Sequence, residues 1–221
     1  MKITHKLILY CGLTLMFTSH LHSASAQGVK NHVDQRAKIT EIASTTIVDN
    51  SMNKNPIAIK TNLAQWGVGV SNIGLEVLLK KNISIDVPLT FSPYTISDDW
   101  KLRLLILQPE ARYWLNGSCF AGHFVGLHAH AGYFNVAVDS KNRYQNNDNE
   151  PLWGFGIGYG YALSLMKNLN IEFNIGAGYA NLKYDIYYNV DNGAKFDYDT
   201  RDYWGITRAG ISISYIINYN K

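Results

Sequence analysis

The residues with chemistry to offer are Lys60, Glu76, Asp86, Glu110, Arg112, Glu172 and Arg208, together with the imidazoles of His128 and His130. Charges of both signs in one narrow space form either an ion path or active site, or a plug of mutually satisfied ion pairs and hydrogen bonds. A buried charge left unpaired costs several kcal/mol, so the plug is the expectation. His128 and His130 sit two apart, and on a strand such residues point the same way, as a metal site would need. A third ligand would have to come from Glu110 or Gln108 on the preceding strand. Lone histidine pairs more often serve as hydrogen-bonded spacers, so neither a metal nor a cofactor is expected. A lipid-active hydrolase would require a nucleophile beside a base and an orienting acid. Ser164 falls near a turn, and Ser92 and Ser97 have no histidine assignable beside them, so no catalytic residue is assigned. Asp191, Asp197, Asp199 and Asp202 lie among Tyr198 and Tyr203 at a spacing that fits no calcium loop. They predict a solvated surface loop, with partner binding as the sharper reading.

These groups need elements to hold them, and period-two patterning supplies them. From Ile57 onward eight alternating runs are separated by turn residues, at 57–65, 72–79, 83–92, 102–115, 123–138, 153–165, 169–188 and 204–219. In the sixth run Trp153, Phe155, Ile157, Tyr159, Tyr161, Leu163 and Leu165 alternate with Gly154, Gly156, Gly158, Gly160, Ala162 and Ser164. One face is large and apolar, the other nearly bare. Period two does not say which face is inside, and a soluble lipocalin-like barrel is the competitor. Volume decides, because eight strands enclose a space only just wide enough for side chains to fill, and rows of Phe, Ile, Tyr and Leu would overpack it. The Gly, Ser, Asn and carboxylate row fits inside, leaving the apolar row for lipid. The predicted fold is all-β: an eight-stranded antiparallel transmembrane β-barrel of the outer-membrane type with a filled polar lumen, in which the nine charged and imidazole residues form a lumenal network.

Loop lengths and aromatics support this orientation. Turns at Lys80–Asn82, Asn116–Gly122 and Met166–Asn168 are short, whereas the connections about Thr95–Lys101, Asp139–Leu152 and Asn189–Tyr203 are longer, as periplasmic turns and extracellular loops should be. Trp66, Trp100, Trp153 and Trp204 fall at predicted extracellular strand ends and Trp114 at a periplasmic one, and are read as interface aromatics. Pro88 and Pro109 fall inside predicted strands, although a closed barrel has no edge where a missing N–H is harmless. They should be neighbours across one hairpin, so the ladder is expected to break or bulge once there.

Composition sets the frame. The chain of 221 residues has 18 Gly and 15 Tyr. Lys2 and Lys6, the apolar run Leu7–Phe17 and Ala24-Ser25-Ala26 have the layout of a secretory signal, so residues 1–26 are excluded from the fold. Cys11 follows Tyr10 inside the apolar run, which argues against lipoprotein processing. Removing Lys2 and Lys6 from the 20 basic residues leaves 18 against 17 acids, which gives no reason to propose a nucleic-acid partner. One thiol, Cys119, remains in a predicted periplasmic turn, so no disulfide forms within the mature chain. Residues 27–55 read as a polar, flexible leader, with one short helix around Gln35 to Ala43 as the alternative, and 56–219 as the barrel. Export to the outer membrane of a Gram-negative bacterium is the expected localisation.

The chain resembles an uncharacterised Bacteroidetes family of outer-membrane β-barrel proteins, a domain of unknown function often encoded beside fimbrillin genes. The resemblance covers residues 57–217. It rests on Lys60-Thr61-Asn62-Leu63, Asn72-Ile73-Gly74-Leu75-Glu76, the run Gln108-Pro109-Glu110-Ala111-Arg112-Tyr113-Trp114-Leu115, and Gly122-His123-Phe124 with Gly126-Leu127-His128-Ala129-His130-Ala131-Gly132. It continues in Gly158-Tyr159-Gly160-Tyr161, Ile175-Gly176-Ala177-Gly178-Tyr179 and Thr207-Arg208-Ala209-Gly210-Ile211-Ser212. The chain departs from it at Gly205-Ile206-Thr207-Arg208, where the family usually has Gly-Pro-Thr-Lys, and at Ala64-Gln65, where an aromatic is usual. The resemblance implies surface or fimbrial biology by gene neighbourhood and brings no established activity. The favoured expectation is a structural or cell-surface interaction barrel, not an enzyme, with outer-membrane lipid around it and a surface or fimbrial protein as partner through its extracellular loops. A lipid-modifying enzyme or small pore is the alternative.

Overall fold

The computed structural model describes residues 56–95, 101–137, 141–147, 150–190 and 192–217. The signal, the leader and Trp100 lie outside the described residues. The strands are β1 (Ile57–Asn62), β2 (Ser71–Lys80), β3 (Ile83–Thr95), β4 (Lys101–Leu107), β5 (Glu110–Trp114), β6 (Gly122–Ala137), β7 (Asn142–Asn146), β8 (Leu152–Met166), β9 (Leu169–Tyr188) and β10 (Lys195–Ile217). A short helix, α1 (Leu63–Gly67), follows β1. All pairings are antiparallel, and β10 returns to β1 with Ile217 opposite Ile57, so that eight strands form a closed ring. Around the ring run β1, β2, β3, the β4–β5 line, β6, β8, β9 and β10.

The end holding Ile57, Ile217 and the tight connections at 81–82 and 167–168 is called the lower end. At the upper end β7 takes over from β8 between β6 and β9, pairing Val136 with Tyr144 and Tyr144 with Ile186. The expected connection 139–152 therefore contains a strand. The expected solvated loop at Asn189–Tyr203 is also corrected, because β10 begins at Lys195 and pairs with β9 through that stretch. The first run is shorter than expected. It ends at Asn62, whose side chain accepts from Ala64 N and caps α1.

The two prolines share one site. Leu89 pairs with Leu107 and Asp86 with Glu110, so two residues on β3 oppose Gln108 and Pro109 with nothing inserted. The ladder is broken, not bulged, and both β4 and β5 keep one register with β6. Gln108 N donates to Pro88 O at 3.1 Å and Ala129 N to Pro109 O at 3.0 Å. Each proline thus costs its ladder only the one bond its absent N–H would make.

The outer surface of the ring is apolar: Leu127 is 67% exposed and Ile157 66%. Inside, among the described residues, the larger buried apolar side chains gather in two clusters. Trp114, Phe124 and Ala162 pack at the lower end with Phe120 close by, and Val70, Leu104, Phe134, Tyr144, Leu152 and Tyr184 are buried at the upper end. Trp66, Trp153 and Trp204 are exposed, but Trp114 is only 1% exposed and lies inside, which corrects its reading as an interface aromatic. Residues two apart on a strand share a face, and Trp114 follows Glu110 and Arg112 at that interval.

Candidate functional site

Register assembles the site. Glu76 pairs with Asp86, Asp86 with Glu110 and Glu110 with His128, so four neighbouring strands each place one titratable group in a single row. Arg112 stands two residues from Glu110 on the same face. Lys60, two residues past Ala58 opposite Glu76, and Glu172, opposite Ala162 and Ser212, enter from further round the ring. All nine charged and imidazole residues singled out in the sequence are buried inside it.

Arg112 is the hub. Its Nε donates to Glu110 Oε2 at 2.7 Å. Nη1 donates to Glu76 Oε2 at 3.0 Å and Glu172 Oε2 at 2.9 Å, and Nη2 to Asp86 Oδ2 at 2.8 Å and Glu172 Oε1 at 3.0 Å. Five N–H donors in one plane reach four carboxylates, an arrangement a lysine ammonium could not make. The guanidinium also lies 4.3 Å above the Phe124 ring. Lys60 Nζ donates to Glu76 Oε2 at 2.9 Å and to Glu172 Oε2, with Asp86 3.7 Å away. Arg208 Nη2 donates to Asp86 Oδ2 at 2.8 Å and lies 3.4 Å from Glu110 Oε2. Three cations therefore face four carboxylates.

Smaller groups complete the shell. Ser84 Oγ donates to Glu76 Oε1 at 2.5 Å and accepts from Trp114 Nε1 at 2.8 Å, tying the ion cluster to the lower apolar cluster. Asn174 Nδ2 donates to Glu172 Oε1 at 3.1 Å. Glycines make the room. A Cβ at Gly126 would meet Glu110 Oε1 at 2.5 Å, and one at Gly156 would meet His128 Nε2 at 2.7 Å.

The histidines stand at the margin. His128 Nδ1 is 4.0 Å from Glu110 Oε1, and its Nε2 is 2.8 Å from Thr207 Oγ1. The His130 ring centroid is 6.1 Å from that of His128, and among the described residues no carboxylate pairs with it. Among the described residues no group of three His, Cys, Asp or Glu is arranged to hold a metal ion. Ser92, weighed as a nucleophile, instead donates its hydroxyl to Leu102 O at 2.6 Å. Burial pushes the Cys119 thiol up to about 12, with a smaller contribution from Glu76, so it stays protonated at neutral pH.

A second feature was not visible as a unit in the sequence. Pro88 has no N–H to return to Gln108 O, and Arg208 Nη1 donates to that carbonyl at 3.4 Å instead. The Gln108 side chain donates to Thr207 O at 2.9 Å. Thr207 falls where the β9–β10 register shifts, between Ile206 and Arg208. The proline break and the β10 irregularity stand on opposite sides of the ring, so Arg208, Gln108 and Thr207 strap it across its interior. In the sequence Gln108 suggests only a metal ligand, and Thr207 carries no mark of a bulge. The arrangement can neutralise charge, fix the relative positions of six strands and fill space; it also sets the Thr207 hydroxyl against His128 Nε2, with Glu110 on the far side of the imidazole ring.

Neither curated proteins nor solved structures give a match. A family model described as "Protein of unknown function (DUF3575)" matches residues 40–217, and the chain belongs to that family.

Proposed function

We propose that the chain is an outer-membrane β-barrel whose role is structural or in cell-surface interaction. One observation carries the proposal: the ring is inverted relative to a soluble protein, with large apolar side chains on its outer surface and a charged network inside. An exposed apolar belt of this size has to be covered, and where the ring is closed it satisfies the backbone hydrogen bonding that a bilayer demands. Among the described residues no helix is long and apolar enough to cross a membrane, which leaves strands as the spanning elements. The upper end, with its longer connections, is then extracellular. The interior supports a structural role over transport, since the ion cluster lies between two buried apolar clusters and its charges are spent on one another. Fimbrial or other surface structures are the partner class implied by the family resemblance.

Cell fractionation with gel migration tests the reading. The protein should be recovered with outer membranes and shift in apparent mass between unboiled and boiled samples. Recovery as a soluble periplasmic protein with no heat shift would overturn it.

A further inference from the structure

The ring is closed only over its lower part. β1 stops at Asn62, opposite Ser212, whereas β10 continues upward to Lys195. Among the described residues no strand pairs with the free side of β10 above Ile211. The backbone shows which groups face that side. Ile216 N donates toward Asn168 O, on the β9 side, while Ala209 O accepts from Asn62 Nδ2, on the β1 side. The register shift between Ile206 and Arg208 reverses the alternation, so Tyr198, Thr200, Asp202 and Trp204 turn their N–H and C=O outward.

This edge is guarded, not blank. The Tyr198 N–H donates to Asp197 Oδ1 at 2.9 Å, and the Thr200 N–H to Asp199 Oδ1 at 2.8 Å. Each aspartate occupies the donor that an added strand would use, a local device that keeps exposed edges from pairing indiscriminately. Asp199 spends its other oxygen on Tyr184 and Arg201, so releasing Oδ1 leaves those bonds in place. Between Asp197 and Ile206 there are three carboxylates and one guanidinium. Tyr198 and Trp204, 74% and 72% exposed, flank the stretch.

We propose that the β10 edge from Tyr198 to Trp204 accepts an extended segment of a second protein that carries Lys or Arg at alternate positions, with Asp197 and Asp199 as its gate. The segment would lie antiparallel to β10 on the side where β1 ends at Asn62 and α1 packs against β10. Its backbone carbonyls would take the two N–H groups from the aspartates, and its cations would compensate the carboxylates so released. Strand addition of this kind draws affinity from the main chain and specificity from alternate side chains. A second copy of this chain fits less well. Copies in one membrane are related by an axis along its normal, which sets two tilted strands across each other and not antiparallel. The proposal rests on the surface role above only for the edge being extracellular, and its test does not use a membrane.

The experiment uses the detergent-solubilised protein and three decapeptides: alternating Val and Lys, alternating Val and Glu, and the Val-Lys peptide N-methylated at alternate residues. The Val-Lys peptide should bind at least tenfold more tightly than the other two and slow amide exchange at Tyr198, Thr200, Asp202 and Trp204 by about tenfold or more. Asp197→Lys with Asp199→Lys should invert the preference toward the Val-Glu peptide. Equal binding of the N-methylated peptide would reduce the edge to a charged patch, and unchanged exchange at those four amides would overturn the proposal. The peptide arms decide the matter on wild-type protein even where the double variant fails to fold. Loss of the outer-membrane fractionation result alone would overturn the surface reading while leaving strand binding measurable.

Discussion

Arg112 is the residue on which the interior turns. Removing it leaves Glu76, Asp86, Glu110 and Glu172 facing one another with only Lys60 and Arg208 for compensation. Arg112→Ala should therefore lower unfolding stability by about 3–5 kcal/mol, the usual cost of orphaning a buried charge. Glu110→Gln should cost less, because it brings three cations against three carboxylates and keeps an oxygen for the Arg112 Nε–H. Replacing Arg112 and Glu110 together should cost less than the sum of the single changes, since they share one hydrogen bond. Urea unfolding of the protein in lipid vesicles measures this, and additive, near-zero losses would mean that the charges do not act as a unit. The charged groups were legible because each lies on the bare face of an alternating run. Trp114 was misplaced for a chemical reason: tryptophan at a strand end suggests an interface, yet its two-residue interval from Arg112 already assigned it to the inside, where Ser84 satisfies its indole N–H.

At the scale of elements, alternation reveals a strand only when its two faces meet different surroundings. β6, β8 and β9 have one apolar outer face and one small or polar inner face, and their runs match the strands within a few residues. β7, Asn-Arg-Tyr-Gln-Asn, and the upper half of β10, from Asp197 to Tyr203, are polar on both faces and read as loop. Both are held by cross-strand contacts that pattern does not encode, such as Asn135 Nδ2 to Gln145 Oε1 at 3.0 Å for β7 and Tyr184 OH to Asp199 Oδ2 at 3.0 Å for β10. The Asp199 carboxyl gives this region a pH dependence. Burial works against its charged form, but hydrogen bonds from Tyr184, Arg201 and the Thr200 N–H outweigh it and hold the group below its ordinary value. With a folded value below the unfolded one, the stabilisation is complete above about pH 4 and is lost as pH falls through the folded value. Amide exchange from Asp197 to Tyr203, corrected for its intrinsic pH dependence, should accelerate below about pH 4 while β6 and β8 stay protected. Asp199→Asn should remove the step, and a profile identical in the variant would assign the transition to another group.

For the molecule as a whole, the interior works as three layers in series. The lower layer is Trp114 with Phe120 and Phe124, the middle is the ion cluster, and the upper is the apolar cluster around Phe134 and Tyr184. A conducting path needs water and mobile charge through all three, yet the Arg112 donors are committed to protein acceptors and the outer layers offer little to hydrate an ion. The wild-type protein reconstituted in a planar bilayer should therefore carry no resolved steady current. Trp114→Ala removes most of the lower layer and takes from the middle one only the indole bond to Ser84, so it should lower stability by about 3–5 kcal/mol, as for a buried tryptophan, and still leave the bilayer silent. Only Trp114→Ala combined with Arg112→Ala and Phe134→Ala, which loosens all three layers and frees the carboxylates for water, should bring intermittent cation-selective openings. A steady current through the wild-type protein would show that water occupies the interior and that the carboxylates serve passing ions, the small-pore reading, in place of the strands they now hold together.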